Sequence, residues 1–221
     1  MRQIWIQKNG LPILRIFFAG WGMDEKLCGK FESDRHDLLF CCDYRDLTFD
    51  SQLLSDYQEI EIVAWSLGVW AASVVMHEEA VVPSVSIAFN GTPVPIHDSL
   101  GIPCAVYEGT LNNLSAESLL KFNRRMCGSN SELQLFEQHR SSRSVESLKE
   151  ELSNIRKMYD NRPSLPEKAH WDEAWIGEKD RIFPVSNQYE AWGEPTHVRT
   201  FPETAHYNKQ LIDRLIGHPN Y

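Results

Sequence analysis

The stretch EIEIVAWSLG at positions 59–68 constrains this chain more than any other. It opens with charged and apolar residues in alternation and closes as a continuous apolar run. That is the pattern of a strand entering a sheet covered on both faces. Leu67 to His77 (LGVWAASVVMH) is apolar, Ala-containing and of helix length, and Ser66 alone separates it from the strand. A chain that passes from strand to helix through one residue strains that residue's backbone. It also needs small neighbours, because strand and helix nearly touch there. Apart from its first position, Ala64-Trp65-Ser66-Leu67-Gly68 is the Gly-x-Ser-x-Gly nucleophile elbow, with Ala64 adding one methyl. The helix start lends Ser66 the positive end of the backbone dipole.

The segments around this elbow alternate. Ile4 to Gln7 and Leu11 to Phe18, separated by the turn Lys8-Asn9-Gly10, read as a hairpin, followed by the bend Ala19-Gly20-Trp21-Gly22. Asp37 to Tyr44 is a further strand. Ser84 to Asn90, closed by Gly91-Thr92-Pro93, is a buried one, and Trp171 to Ile176 and His197 to Phe201 follow. Asn187 to Trp192 and Tyr207 to Ile216 read as helices. Strands alternating with helices imply an α/β chain, with a mostly parallel sheet and helices on both faces. From about Leu114 to Tyr159 no strand signal appears. Ser115 is a plausible N-cap for a helical run broken at Cys127-Gly128, and Val145, Leu148, Leu152, Ile155 and Tyr159 recur at spacings of three and four. The expected organisation is a single domain over 1–221 with a helical lid inserted at about 114–160, which Pro163 and Pro166 end before the sheet resumes.

Composition narrows the function classes. The 221 residues suit one domain carrying an insertion, and 22 Lys and Arg against 31 Asp and Glu give a net charge of −9. That balance argues against a general nucleic-acid binder. The longest mostly apolar stretch, Leu67 to Met76, is about half of the roughly 20 residues a membrane helix needs. The N-terminus MRQIWIQKNG has no apolar signal region, so export is not indicated. Five cysteines without a Cys-x-x-Cys pair read as reduced thiols of a cytoplasmic protein. No Gly-x-Gly-x-x-Gly loop or ligand cluster supports a cofactor or metal. The basic residues gather in the insertion: nine lie between Lys121 and Arg162 against six acids, so this window is +3 and the remainder −12. Either a solvated mixed-charge surface or a landing site for an acidic partner fits that asymmetry.

A serine nucleophile needs a base and the base an orienting carboxylate, in the chain order serine, acid, histidine on loops that follow strands. Asp180 follows the Trp171 to Ile176 strand, with Glu178 as a neighbouring rival and Asp172 at the strand's opposite end. His206 follows the His197 to Phe201 strand. Of the other seven histidines, His197 lies within a strand, His218 near the chain end, and the rest at unsuitable topological positions. Ser66, Asp180 and His206 therefore converge at the C-terminal ends of sheet strands. The oxyanion needs two backbone N–H donors. Leu67 supplies one, and Trp21, in the glycine-containing bend, is the choice for the other, although an ordinary turn would show the same residues.

Several segments occur here in family-like order: Ala19-Gly20-Trp21-Gly22-Met23, Ala64-Trp65-Ser66-Leu67-Gly68-Val69-Trp70, Phe89-Asn90-Gly91-Thr92, Gly101-Ile102-Pro103, Arg124-Arg125-Met126-Cys127-Gly128 and Asp180-Arg181-Ile182-Phe183. Together they resemble the BioG-type pimeloyl-acyl carrier protein methyl ester esterases over nearly the whole chain. The resemblance implies a compact α/β-hydrolase of biotin synthesis that removes the methyl group from a pimeloyl chain carried on an acyl carrier protein. It implies Ser66 as nucleophile, Asp180 as acid, His206 as base and an oxyanion hole near Trp21 and Leu67. It also gives the basic lid a purpose, since acyl carrier proteins are acidic: Arg124, Arg125, Arg140, Arg143, Arg156 and Lys157 would dock the carrier. Trp21, Trp65, Trp70, Phe122, Leu148 and Leu152 would line an acyl tunnel, where apolar residues at helical spacing serve equally well as core. The rival readings are another serine hydrolase, such as a thioesterase or small-ester carboxylesterase, and a non-catalytic carrier-binding module.

Overall fold

A computed structural model describes residues 1–162 and 170–217. Seven strands form one sheet in the order β1-β3-β2-β4-β5-β6-β7. They are β1 (Arg2–Gln7), β2 (Ile13–Phe18), β3 (His36–Cys42), β4 (Glu59–Trp65), β5 (Val85–Phe89), β6 (Glu173–Gly177) and β7 (His197–Phe201). All pairs are parallel except β1 with β3, so the sheet has the mostly parallel, α/β character read from the alternation. In register, Ala64 lies between Phe18 and Ala88, and Phe89 between Trp65 and Trp175. The chain therefore leaves β2, β4, β5, β6 and β7 at one edge of the sheet. Every residue of β3 is buried, including Cys41 and Cys42 on its opposite faces, and all five cysteines are free thiols.

The expected hairpin is corrected: β1 and β2 do not pair, because β3 lies between them. The reason is tertiary. The buried Asp37 carboxylate, in β3, accepts from the N–H groups of Asn9, Gly10 and Leu11 at 2.7, 2.9 and 3.3 Å. The turn residues are thus spent on capturing the β3 side chain and the connection steps across that strand.

Helix α1 (Leu67–Glu78) packs on β2 and β4, α6 (Val185–Ala191) on β6, and α7 (Lys209–Ile216) on β4. Between β5 and β6 come α2 (Cys104–Asn112), α3 (Ala116–Cys127), α4 (Asn130–Gln138) and α5 (Val145–Asn161). Local signals punctuate them as physics requires. Ser115 and Ser118 form a reciprocal capping box, Gly128 ends α3 in the left-handed region at φ 70°, and Ser129 and Ser144 cap the next two helices. Helix α2 precedes the stretch in which the sequence showed helical signal. Pro163 and Pro166, expected to end the insertion, and His218 lie outside the described residues. Among the described residues no helix is long and apolar enough to cross a membrane.

Candidate active site

Ser66 stands at the junction of β4 and α1 with φ 60° and ψ −130°, a conformation that L residues rarely adopt. The close approach demanded by the elbow is visible around it. A Cβ on Gly68 would lie 2.3 Å from the Phe18 carbonyl oxygen, and one on Gly91 would lie 2.2 Å from that of Ser66. Although Ser66 occupies the N-cap position of α1, its side chain caps nothing. The hydroxyl is free for another partner.

That partner is His206. Ser66 Oγ lies 2.9 Å from His206 Nε2, and His206 Nδ1 lies 2.8 Å from Asp180 Oδ2. A carboxylate oxygen at Nδ1 places the ring proton there and leaves Nε2 to accept from the serine hydroxyl. Asp180 is held in turn: Oδ1 accepts from the Ile182 and Phe183 N–H groups at 2.7 and 3.1 Å, and Oδ2 from Gln188 Nε2 at 3.0 Å. The imidazole stacks on Phe183 at 6.0 Å and 9° and leans on Trp65 at 5.5 Å. All three relay side chains are buried, which removes competing water. The rivals are elsewhere. Glu178 is exposed, Asp172 binds Ser86 at the start of β6, and His197 is exposed on β7. The four buried cysteines do not compete as nucleophiles, since burial pushes the thiols of Cys42 and Cys127 up to about 12 and those of Cys28 and Cys41 up as well.

Gly20, Trp21, Leu67 and Ser66 border a narrow cleft that runs under the inserted helices. Trp21, Trp65 and Phe122 line it, together with Ile102, Val106, Tyr107, Met126, Leu152 and Ile182. Trp21 and Phe122 meet edge to face at 5.3 Å, so they form one wall. The residues of α2 and the Gly101-Ile102-Pro103 turn are the cleft components that helical periodicity did not single out. The signal for them was the turn motif and an aromatic, Tyr107, within an otherwise weakly apolar helix.

The profile of the family described as pimeloyl-ACP methyl esterase BioG matches residues 1–213. The chain belongs to the BioG family. A protein of Bacteroides fragilis named malonyl-[acyl-carrier protein] O-methyltransferase is 48% identical over 212 residues, which are 94% of this chain but 43% of that protein. The chain thus spans less than half the length of that relative. The crystal structure of BioG from Haemophilus influenzae superposes with a TM-score of 0.85 at 34% identity, covering 96% of each chain. A thermophilic esterase from Thermogutta terrifontis, 14% identical, shares the α/β-hydrolase fold with a TM-score of 0.66, covering 97% of this chain and 90% of the other.

In this BioG chain the expected site residues separate into groups. Trp70 is in the hydrophobic core on α1, away from the cleft, because the elbow turns the first turn of α1 against β2. Leu148 lies in a second hollow behind the Trp21–Phe122 wall, and its carbonyl accepts from the Trp21 indole N–H at 3.0 Å. Arg143, expected on a docking face, is corrected. It is buried and ion-paired to Glu151 at 2.7 Å and Asp43 at 3.1 Å, because a carboxylate on the inner face of α5 needs a cation beside it. Arg156 pairs with Asp160 and Glu108, and Arg140 with Glu137. Arg124, Arg125 and Lys157 are exposed.

Proposed function

We propose that this chain is a serine carboxylesterase that hydrolyses the methyl ester of pimeloyl-acyl carrier protein methyl ester, releasing methanol and pimeloyl-acyl carrier protein in cytoplasmic biotin synthesis. The observation that carries it is the unbroken Ser66–His206–Asp180 relay at the foot of an apolar cleft, in a chain of the BioG family. His206 Nε2 takes the Ser66 hydroxyl proton as Oγ attacks the ester carbonyl. The Trp21 and Leu67 N–H groups receive the oxyanion. His206 returns the proton to the leaving methoxide, and water then releases the new carboxylate from Ser66 by the same route.

The inserted helices act as the lid, and the single domain carries both lid and relay. The cleft lined by Trp21, Trp65 and Phe122 takes the acyl chain end first. This orientation is required because the thioester to the carrier is intrinsically no poorer an acyl donor than the methyl ester. Delivering only the far end to Ser66 spares it. Arg125 borders both the cleft and an adjoining open groove with Lys121, Ser118 and Asn113 between α2 and α3, so the carrier's arm enters there. Arg124, Arg125 and Lys157 then meet the acidic carrier, with Arg140 and Arg156 nearby. The methyltransferase name of the B. fragilis relative belongs to a protein more than twice as long as the matched part. Hydrolysis, not methyl donation, is what a Ser–His–Asp relay performs.

Intact mass of methyl-pimeloyl-acyl carrier protein after incubation tests this reading. Wild type should remove one CH₂ and Ser66→Ala none. Loss of the whole acyl group would make the protein a thioesterase, and an unchanged mass would reject this substrate.

A further inference from the structure

Glu151 sits on the apolar stripe of α5, between Leu148 and Leu152, and is fully buried. A buried carboxylate is costly unless it is paired and hydrogen-bonded. Its Oε2 accepts from Arg143 Nη1 at 2.7 Å and from the Gly22 N–H at 3.3 Å, and its Oε1 accepts from the Tyr44 N–H at 2.9 Å. Arg143 is anchored by Asp43 Oδ1 and Ser147 Oγ, both at 3.1 Å. Burial pushes the Glu151 carboxyl up, while Arg143 and the Tyr44 N–H oppose that push.

These contacts converge on the bend that carries Trp21. The Gly20 carbonyl accepts from the Met23 N–H at 3.3 Å. In a planar trans peptide the Trp21 N–H points opposite to that carbonyl, out of the turn. The next peptide, Trp21–Gly22, has its own N–H on Glu151. Tyr44, the other backbone partner of Glu151, donates its hydroxyl to the Ala19 carbonyl at 2.7 Å. One carboxylate therefore holds the bend from both sides of Trp21.

We propose that Glu151 is a positioning residue that aims the Trp21 N–H at the oxyanion through Gly22 and Tyr44, with Arg143 as its counter-ion. The proposal rests on the reading of Trp21 as an oxyanion donor. Three donors face this side chain, and a carboxylate satisfies all of them. A glutamine of the same shape turns its NH₂ against one of them and tilts the bend.

The test uses dimethyl pimelate as substrate and an alkyl trifluoromethyl ketone, whose adduct with Ser66 places a negative oxygen where the reaction does. Active sites are counted by end-point fluorophosphonate labelling, so that loss of folded protein does not register as slow chemistry. Glu151→Gln should lower kcat per labelled site roughly 100-fold, leave KM within about twofold and weaken the ketone by the same factor as kcat, as for a lost oxyanion donor. Glu151→Asp, which keeps the charge but shortens the reach, should fall between the two and decides the matter if the glutamine variant does not fold. Unchanged kcat per labelled site, or a kcat loss with undiminished ketone affinity, overturns the positioning role while the esterase reading stands. A wild type that neither labels nor binds the ketone overturns both.

Discussion

Asn90 donates its side-chain amide to the backbone carbonyl of His206 at 3.0 Å, with a second bond to the Ala205 carbonyl at 2.8 Å. Its Oδ1 accepts from the Gly177 N–H at 2.7 Å. One side chain at the end of β5 thus ties together the loops that bring Asp180 and His206 from β6 and β7. Trp65 adds a bond from its indole N–H to the same His206 carbonyl at 2.9 Å. Asn90 itself has φ 45°, a left-handed conformation that asparagine tolerates better than most residues.

Replacing Asn90 by Ala should therefore slow hydrolysis without touching the relay itself. The Ala205 carbonyl and the Gly177 N–H lose their partner, each worth about 1–3 kcal/mol when left unsatisfied, and the His206 carbonyl keeps the Trp65 indole N–H. The expected result is a Tm several degrees lower and a kcat reduced 10- to 100-fold, roughly, because a base displaced by a fraction of an ångström loses much of its effect. Asn90→Asp should fail similarly, since a carboxylate accepts and cannot donate to the two carbonyls. Normal kcat in either variant, with a normal far-ultraviolet spectrum, would remove Asn90 from the positioning of His206.

Asp180→Asn tests the tautomer argument. Because Oδ1 already accepts from two backbone N–H groups, the oxygen of an asparagine will stay there and its NH₂ will face His206 Nδ1. The imidazole must then carry its proton on Nε2, where it cannot accept from Ser66. A kcat loss of about 10⁴-fold is expected, the size seen when a triad acid is so replaced. Steady-state rates on a soluble methyl ester measure it, and a loss below about tenfold would show that the acid does not control the tautomer.

The parts of this molecule that were legible in the sequence are those decided locally. The elbow is a strand, one serine and a helix in unbroken succession, and the loops bearing Asp180 and His206 follow strands whose composition marks them. The β1–β2 connection was not legible, because the buried Asp37 carboxylate, far along the chain, binds its turn. Helix α2 is not legible in the sequence because Tyr107 alone of its residues is fully buried, so no apolar face repeats. The role of α5 was half legible. Leu148, Leu152 and Ile155 mark its inner face, and Glu151 shares that stripe. A charge at a core position is the signal of a buried ion pair, but nothing local in the sequence separates Arg143, its partner, from the surface cations around it.

Gly68→Ala should disrupt the elbow. The added methyl would stand 2.3 Å from the Phe18 carbonyl oxygen and 2.5 Å from that of Ala19, both backbone atoms of the strand and bend that neighbour Ser66. Relief requires α1 to move away from β2, at a cost of about 3 kcal/mol or more. For a chain of this size that corresponds to a Tm lower by roughly 6–12 °C. Differential scanning calorimetry checks it, and an unchanged Tm would mean that strand and helix are farther apart than the elbow geometry requires.

Stability should also carry a histidine step at mildly acidic pH, and His36 is its source. The ring is buried at the start of β3, with Nε2 at 2.9 Å from the Ile216 carbonyl and Nδ1 at 3.3 Å from Ser33 Oγ. Burial chiefly, and then Arg15, lower its pKa, with Arg35 adding to them, while the Ile216 carbonyl and Glu61 oppose. A histidine whose folded pKa is depressed remains neutral in the native state while the unfolded chain takes up a proton. Unfolding free energy must therefore decline as pH falls below about 6.5, by no more than about 1.4 kcal/mol per pH unit for one group. The step ends at the lower folded pKa. Asp37 and Asp43 act in a separate window. For each, burial raises the pKa, but the hydrogen bonds to Asp37, and those from Arg45 with the charge of Arg143 at Asp43, outweigh it and hold the carboxyl below its usual range. Their contribution is present at neutral pH and is lost only as pH falls below about 4. Urea unfolding at pH 7.5, 6.5 and 5.5 should show the histidine step in wild type, and His36→Gln should flatten it even though that variant is less stable throughout. An equal slope in the two proteins would assign the step to another group.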